Sequence, residues 1–478
     1  MFDITKLDEM VKKSMKMLDV PGVQIGIVEK GKVIYQKAFG YADIENNIPM
    51  RTEHYLPIGS STKSFTATAI MQLVEKGELD IDAPIRNYIP EFEIYDKYLS
   101  GIVTTRDLLC HRTGVPRHEM MWVNWDDLDR EDLVLNRIKH LEANTDFRTT
   151  FQYQNQMYVV LGYLIERITG QKWESYVSEH IMKPLGIEKY SYCVPYLQDT
   201  LEYAKLYAGT REQGYQELKP LIIDAIGPAG SINMPISSFI TWLKWNLKCG
   251  NTCDILSEQY FKELTKINIP YTILPFDVPG RKELGYSMGW TIDEYKGYRI
   301  VDHGGNVNGA TALISYIPEK ELGCVILTNA NSSMFGYAFS MMLYDYYLSE
   351  ELSLRWFDLY SQSMKDLIAE MTKEIMGLYE RKIEKTKYSH ELSAYCGTFS
   401  HQGYGDITIK EVDGNLTARL HENTLDLSHH HYDVFTFILF GSPFTLNFLT
   451  SADGEINALE IPLEPAVKPI VFKRISID

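Results

Sequence analysis

Apolar residues along this chain change their spacing several times, and each change marks an element. Ile4, Leu7, Met10, Val11, Met17 and Leu18 recur at helical spacing, and Thr5-Lys6-Leu7-Asp8 has the form of a capping box. A first helix is therefore predicted to end before Pro21-Gly22. Val23, Ile25 and Ile27 then alternate with other residues, and after a Lys30-Gly31 turn Val33, Tyr35 and Lys37 continue an extended pattern, which predicts a β-hairpin. From Ser60 to about residue 250 the pattern is mainly helical, with runs at 65–76 and 105–110 and a strong one at 157–168 closed by Thr169-Gly170. Extended patterns return at 298–302, 312–317 and 322–327, the last two separated by Pro318-Glu319-Lys320-Glu321, and a helical stretch follows at 334–348.

Helix and strands, a long helical insertion, then strands and helix again is the order of an α/β domain whose terminal segments share one antiparallel sheet with helices packed on its faces. A cleft between sheet and insertion would collect residues from both halves. Residues 352–386 carry Leu352, Trp356, Leu359, Leu367, Met371, Ile375, Leu378 and Ile383 among many charges, the signature of an amphipathic helical connector, interrupted near Gly377. Beyond it short extended runs alternate with turns such as Asp413-Gly414-Asn415 and Asp453-Gly454, so 389–478 reads as a small all-β domain. The expected division is 1–350, a connector over 351–388, and 389–478.

With 478 residues, 45% hydrophobic and 23% charged, the chain has the composition of a globular protein with a substantial core. Its 47 basic and 64 acidic residues leave a net charge of −17, which disfavours nucleic acid and anionic membranes as partners. Cys110, Cys193, Cys249, Cys253, Cys324 and Cys396 are scattered, and the Cys249/Cys253 pair has no further ligands nearby in sequence, so no metal is expected. The strand-like His429-His430-His431 is read as polar β surface rather than a metal site. No apolar run reaches membrane-spanning length and the N-terminus has no basic segment followed by an apolar core, so a cytoplasmic location is expected.

The candidate chemistry lies at Ser60 and Lys63, three residues apart at a predicted helix start, which places hydroxyl and amine on one helical face. Serine is a weak nucleophile unless a neighbour takes its proton, and a lysine kept partly neutral can do so. Ser-x-x-Lys alone is a common pattern. Here it is followed in order by Tyr153-Gln154-Asn155, just before the strong helical run, and by His303-Gly304-Gly305-Asn306 in the returning strands.

Together with Asp107-Leu108-Leu109-Cys110-His111-Arg112-Thr113-Gly114, Leu161-Gly162-Tyr163-Leu164-Ile165-Glu166 and Gly227-Pro228-Ala229-Gly230, these stretches resemble the penicillin-recognising serine hydrolases. The branch is that of class C β-lactamases, D-alanyl-D-alanine carboxypeptidases, D-aminopeptidases and related esterases. The likeness covers roughly residues 10–345, and 389–478 resembles the lipocalin-like β-domain attached to some members. It implies a β-lactamase-like fold in which Ser60 forms an acyl-enzyme and Lys63 and Tyr153 share proton transfer, either serving as formal base. It implies also that Asn155 bonds substrate or Lys63, and that the backbone N–H groups of Ser60 and Asn306 form the oxyanion hole. Gly304 and Gly305 would let an edge strand approach substrate closely. His111 is expected to brace its loop. One departure stands out: many members have Lys-Thr-Gly where this chain has His303-Gly304-Gly305, and a histidine offers a substrate carboxylate positive charge only when protonated, as it would be near pH 6.

The expected function is hydrolysis of small amides or peptides, including those with D-residues. Alternatives are a carboxylesterase using the same residues, a penicillin-binding or β-lactamase-type protein, and a non-catalytic binding protein of the same fold. No cofactor is expected; the partners are a small amide, peptide or ester substrate and further copies of the chain in a homo-oligomer.

Overall fold

The alternation after Pro21 forms two long paired strands, Gly22–Glu29 and Lys32–Asp43, and the first of them is an internal strand of the main sheet. In the computed structural model residues 4–192, 202–247, 255–272, 276–349 and 352–476 are described. Cys193, Cys249 and Cys253 lie outside them. The chain divides into two compact units. One holds Met1–Pro90, Gly101–Arg112 and Asn155–Lys365; the other holds Glu91–Ser100, Thr113–Gln154 and Asp366–Asp478.

The first unit is built on an eight-stranded antiparallel sheet. Its order is Ile48–Pro49, Lys32–Asp43, Gly22–Glu29, Leu322–Thr328, Ala310–Ile317, Tyr298–Val307, Thr291–Tyr295 and Arg281–Tyr286. The N-terminal hairpin thus meets the late strands through the register Val23↔Thr328 to Glu29↔Leu322, as the sequence pattern predicts. Val23, Ile25 and Ile27 pack into a core with the helices Ile4–Met17 and Phe335–Ser349. Gly26, of opposite parity, backs onto Ile240 of the helix Ile236–Leu247, leaving no room for a Cβ. A central strand buried on both faces is what places helices on both sides of this sheet.

Three sequence expectations differ in detail. Thr5 lies within the first helix rather than ahead of it. A hairpin, Leu206–Thr210 with Gly214–Leu218, interrupts the mainly helical stretch. Arg281–Tyr286 and Thr291–Tyr295 add two strands whose charged residues hide their alternation. Those charges are the clamp of this end of the sheet: the Arg281 guanidinium reaches Asp293 and lies 2.8 Å from Asp302 Oδ2, with all three side chains nearly fully buried. Tyr271 also donates to Asp293, at 2.5 Å.

The second unit contains a closed barrel of eight antiparallel strands. They are Gly397–His401, Gly405–Val412, Asn415–Leu420, Asn423–His431, Val434–Leu439, Ser442–Thr450, Ile456–Ile461 and Ile470–Ser476. Closure through Thr398↔Ser476 removes the open edges that a sheet of this size would otherwise present. Its interior is filled by aromatic side chains, Tyr395, Phe399, Phe435 and Phe448 among them. Within Asn423–His431 the pairing is irregular between His429 and His431, so the histidine run does not keep simple alternation. The helix Arg355–Glu380 runs through Gly377 without the expected interruption. Among the described residues no helix is long and apolar enough to cross a membrane, and no group of three or more His, Cys, Asp and Glu side chains is arranged to hold a metal.

Removing the cation from the Arg281 clamp leaves two buried carboxylates without it, which costs about 3–5 kcal/mol. Arg281→Met should lower the stability measured by urea unfolding by that amount, and a loss under about 1 kcal/mol would contradict the clamp.

Candidate active site

The segment ahead of Ser60 is held before the helix begins. Leu56–Pro57 pairs with Asn233–Met234, and the Ile58 N–H donates to Ile232 O at 2.9 Å. Gly59 turns the chain at φ 51°, the region that favours glycine, and a 3₁₀ turn Gly59–Ser61 leads into the helix Thr62–Glu75. That helix is buried from Thr62 to Leu73 and not merely on one face. Its small polar side chains donate to backbone carbonyls: Ser64 Oγ to Ser61 O at 2.7 Å, Thr66 Oγ1 to Pro228 O at 2.7 Å and Thr68 Oγ1 to Ser64 O at 2.8 Å. Phe65 stacks on Trp242 at 3.9 Å.

Lys63 is fully buried. Its Nζ lies 3.1 Å from Ser60 Oγ, 2.7 Å from Asn155 Oδ1 and 2.8 Å from Ala229 O. The Tyr158 ring lies beside it, 5.4 Å from Nζ, with its hydroxyl anchored on Leu109 O. Asn155 opens the helix Asn155–Thr169, and Ala229 sits in the short helix Gly227–Gly230. These two helices approach so closely that a Cβ on Gly162 would stand 2.2 Å from the Pro228 ring. Ala229 was not legible as a site residue, because it contributes a backbone carbonyl that any residue would have.

The strand Tyr298–Val307 passes on the other side of the nucleophile turn. A Cβ on Gly305 would lie 1.8 Å from Ile58 O and 3.0 Å from Ser60 N, and one on Gly59 would lie 2.8 Å from Asn306 N. The two backbones are therefore in direct contact, with the Ser60 and Asn306 nitrogens both at that contact. Ser61 ties the same elements by donating to His303 O at 3.0 Å. The Asn306 side chain accepts from Ser332 N at 3.0 Å and from Thr311 Oγ1 at 3.3 Å, fixing the strand's end.

This strand is not an edge strand as expected. It is internal to the sheet, but Thr291–Tyr295 pairs with it only as far as Asp302, so 303–307 lacks a ladder partner on that side. His303 also needs correction. Its imidazole is 4% exposed, engaged through Nε2 with Tyr286 Oη at 3.0 Å and through Nδ1 with Gly304 O at 2.6 Å. Burial, with the charge of Lys63 nearby, pushes its pKa down to about 3. The ring stays neutral near pH 6 and offers no charge to a carboxylate. His111 is buried at φ 53° with its ring 5.1 Å from those of Tyr158 and Tyr286. Tyr153 belongs to the second unit, half-buried, with the Arg117 guanidinium 4.9 Å from its ring centre.

An antiparallel sheet flanked by helices, with a serine and a lysine bonded at the head of a buried helix, defines a β-lactamase-like serine hydrolase. The chain belongs to the Beta-lactamase family, the match spanning residues 7–339. Residues 381–474 match a domain of unknown function, DUF3471. The chain is 26% identical over 428 residues to the unguisins hydrolase ungD' of Aspergillus campestris, covering 84% of this chain and 76% of that protein. It is 24% identical over 339 residues to protein flp of Staphylococcus aureus, covering 68% of this chain and 63% of that protein. Among solved structures, the octameric penicillin-binding protein homologue from Pyrococcus abyssi superposes with a TM-score of 0.64 at 23% identity, covering 99% of this chain and 100% of the other. The D-amino acid amidase from Ochrobactrum anthropi SV3 gives 0.54 at 22% identity, covering 68% and 94%. At these identities the structural likeness shows the fold.

Two outcomes follow from the geometry. Gly305→Ala should displace the Ile58–Ser60 turn and lower turnover by about 10²-fold, since small misplacements of reacting groups cost that much; an active Gly305→Ala enzyme would contradict the contact. The ratio of penicillin to neutral-ester acylation rates should stay flat from pH 8 to pH 5, because His303 does not charge in that range; a rise toward pH 6 would show a titrating cation at the site.

Proposed function

We propose that this enzyme hydrolyses small amides or peptides, including those with D-residues, through an acyl-enzyme on Ser60. The observation that carries this reading is the 3.1 Å contact between Lys63 Nζ and Ser60 Oγ, with the amine held from behind by Asn155 and Ala229. Ser60 Oγ attacks the substrate carbonyl carbon while its proton passes to the Lys63/Tyr153 pair. The oxygen of the tetrahedral intermediate is received by the Ser60 and Asn306 N–H groups. Collapse expels the amine, which takes a proton from the same pair, and water then repeats the sequence on the ester. Asn155 holds the amine of Lys63, and Gly304 and Gly305 keep the strand bare for substrate.

The names of the relatives support the substrate class: one is a hydrolase of unguisins, another an amidase of D-amino acids. The neutral His303 favours substrates with no carboxylate for that position to bind. Residues 1–350 form the hydrolase domain of this proposal and 389–478 its β-domain, joined by the connector. Self-association belongs to it as well, since the Pyrococcus abyssi homologue is octameric and Ile368, Met371, Met376 and Ile383 present exposed apolar side chains.

A fluorophosphonate probe read by intact mass, with a panel pairing D- and L-aminoacyl amides with short-chain esters, tests the reading. The wild type should take one adduct and turn over the D-aminoacyl amides. Ser60→Ala should take none and lose turnover by roughly 10⁴-fold or more. Labelling of Ser60→Ala would remove Ser60 as nucleophile, and turnover of esters alone would make the enzyme a carboxylesterase.

A further inference from the structure

Within the second unit, the contacts that fasten the segment Thr113–Gln154 to the barrel include two polar ones. The first is His118, fully buried at φ 45°, a left-handed conformation that a non-glycine residue keeps only when its surroundings hold it. Its backbone N–H donates to Glu464 Oε2 at 2.7 Å, its Nδ1 lies 2.7 Å from Tyr404 Oη and its Nε2 lies 2.9 Å from Glu142 O. A carbonyl only accepts, so Nε2 carries the proton and the Tyr404 hydroxyl donates to Nδ1. Glu464 is itself buried, and its second oxygen accepts from Ala466 N at 3.1 Å.

The second is at Asn124 and Trp125. Asn124 O accepts from Glu422 N at 2.9 Å and its Nδ2 donates to Asn423 Oδ1 at 2.8 Å. Trp125 stacks on His421 at 4.2 Å and fills the space a Cβ on Gly405 would need.

The residue preceding His118 is Arg117, whose guanidinium carbon stands 4.9 Å from the centre of the Tyr153 ring while Glu119 Oε1 holds Nη2 at 3.0 Å. The segment closes on itself around this pair. Asn144 N bonds Gly114 O at 3.1 Å, and Gln152 Nε2 bonds Asn144 Oδ1 at 2.9 Å, one residue from Tyr153.

We propose that the barrel positions Tyr153: Glu464 and Tyr404 fix His118, and His118 sets Arg117 on the face of the Tyr153 ring, so that His118 and Arg117 are positioning residues for Tyr153. This rests on the proposed role of Tyr153 in proton transfer. A cation over a phenol ring restrains the ring, so the contact serves the orientation of Tyr153.

The test is the kinetics of Ser60 labelling by a fluorophosphonate in the full-length enzyme, resolved into maximal rate and half-saturating probe concentration. Arg117→Ala should lower the maximal rate roughly three- to thirty-fold with little change in half-saturation, the range a cation–π contact supplies. Arg117→Lys should recover part of the loss. Tyr404→Phe removes one hydroxyl and should lower the rate in the same direction, with a thermal melt confirming that it folds. In a Tyr153→Phe background Arg117→Ala should cost nothing more, because the contact acts through the tyrosine. If Tyr153→Phe is slow while Arg117→Ala and Tyr404→Phe label at the wild-type rate, this inference falls and the role of Tyr153 stands. It falls too if Arg117→Ala costs the same factor with and without the Tyr153 hydroxyl. If Tyr153→Phe labels at the wild-type rate, the role of Tyr153 falls and takes the inference with it.

Discussion

A buried amine has to be given hydrogen-bond partners, and Lys63 finds them in three separate stretches of chain: Ser60 one helical turn away, Asn155 at the head of another helix, and Ala229 in a four-residue helix. Leaving such a group without partners would cost several kcal/mol, so the folded state is committed to bringing these stretches together. The same requirement aims the amine at Ser60. Fold stability and chemical readiness thus rest on one side chain, and this explains why the helix carrying it is buried all round when a surface helix would bury one stripe.

The second constraint is steric. The nucleophile turn and the strand Tyr298–Val307 touch backbone to backbone, which requires glycine at 59 for its conformation and at 305 for its missing Cβ. Contact at that distance lets two backbone N–H groups converge from different parts of the chain without any side chain intervening. It depends on the sheet: the strand is held by Ala310–Ile317 on one side from Val301 to Val307, while its pairing with Thr291–Tyr295 on the other ends at Asp302. Beyond that point Gly305 of the strand meets the Ile58–Ser60 turn instead.

Much of this is legible in the sequence where chemistry or periodicity is local. Ser60 and Lys63 are one turn apart, so their meeting follows from helix geometry, and the alternation of Val23, Ile25 and Ile27 identifies the central strand. What was not legible acts through backbone or at long range. Ala229 contributes only a carbonyl, and Ser61 looks like any other serine until its bond to His303 O is seen. The Arg281 and Asp293 side chains are buried against what their polarity suggests, because each charge is neutralised by a partner in the next strand. The neutrality of His303 is a property of its surroundings, and no residue type announces it. Nor could spacing show that Thr113–Gln154 packs with a barrel that begins about 240 residues later.

The most direct measurement of the central claim is rapid acid quenching during turnover of a short-chain p-nitrophenyl ester, followed by digestion and mass mapping. The acyl group should be found on the peptide carrying Ser60, at a level that rises to a steady state within the first turnover. An acyl group on any other residue, or full turnover with no acylated peptide at any quench time, would contradict a mechanism built on Ser60 and Lys63.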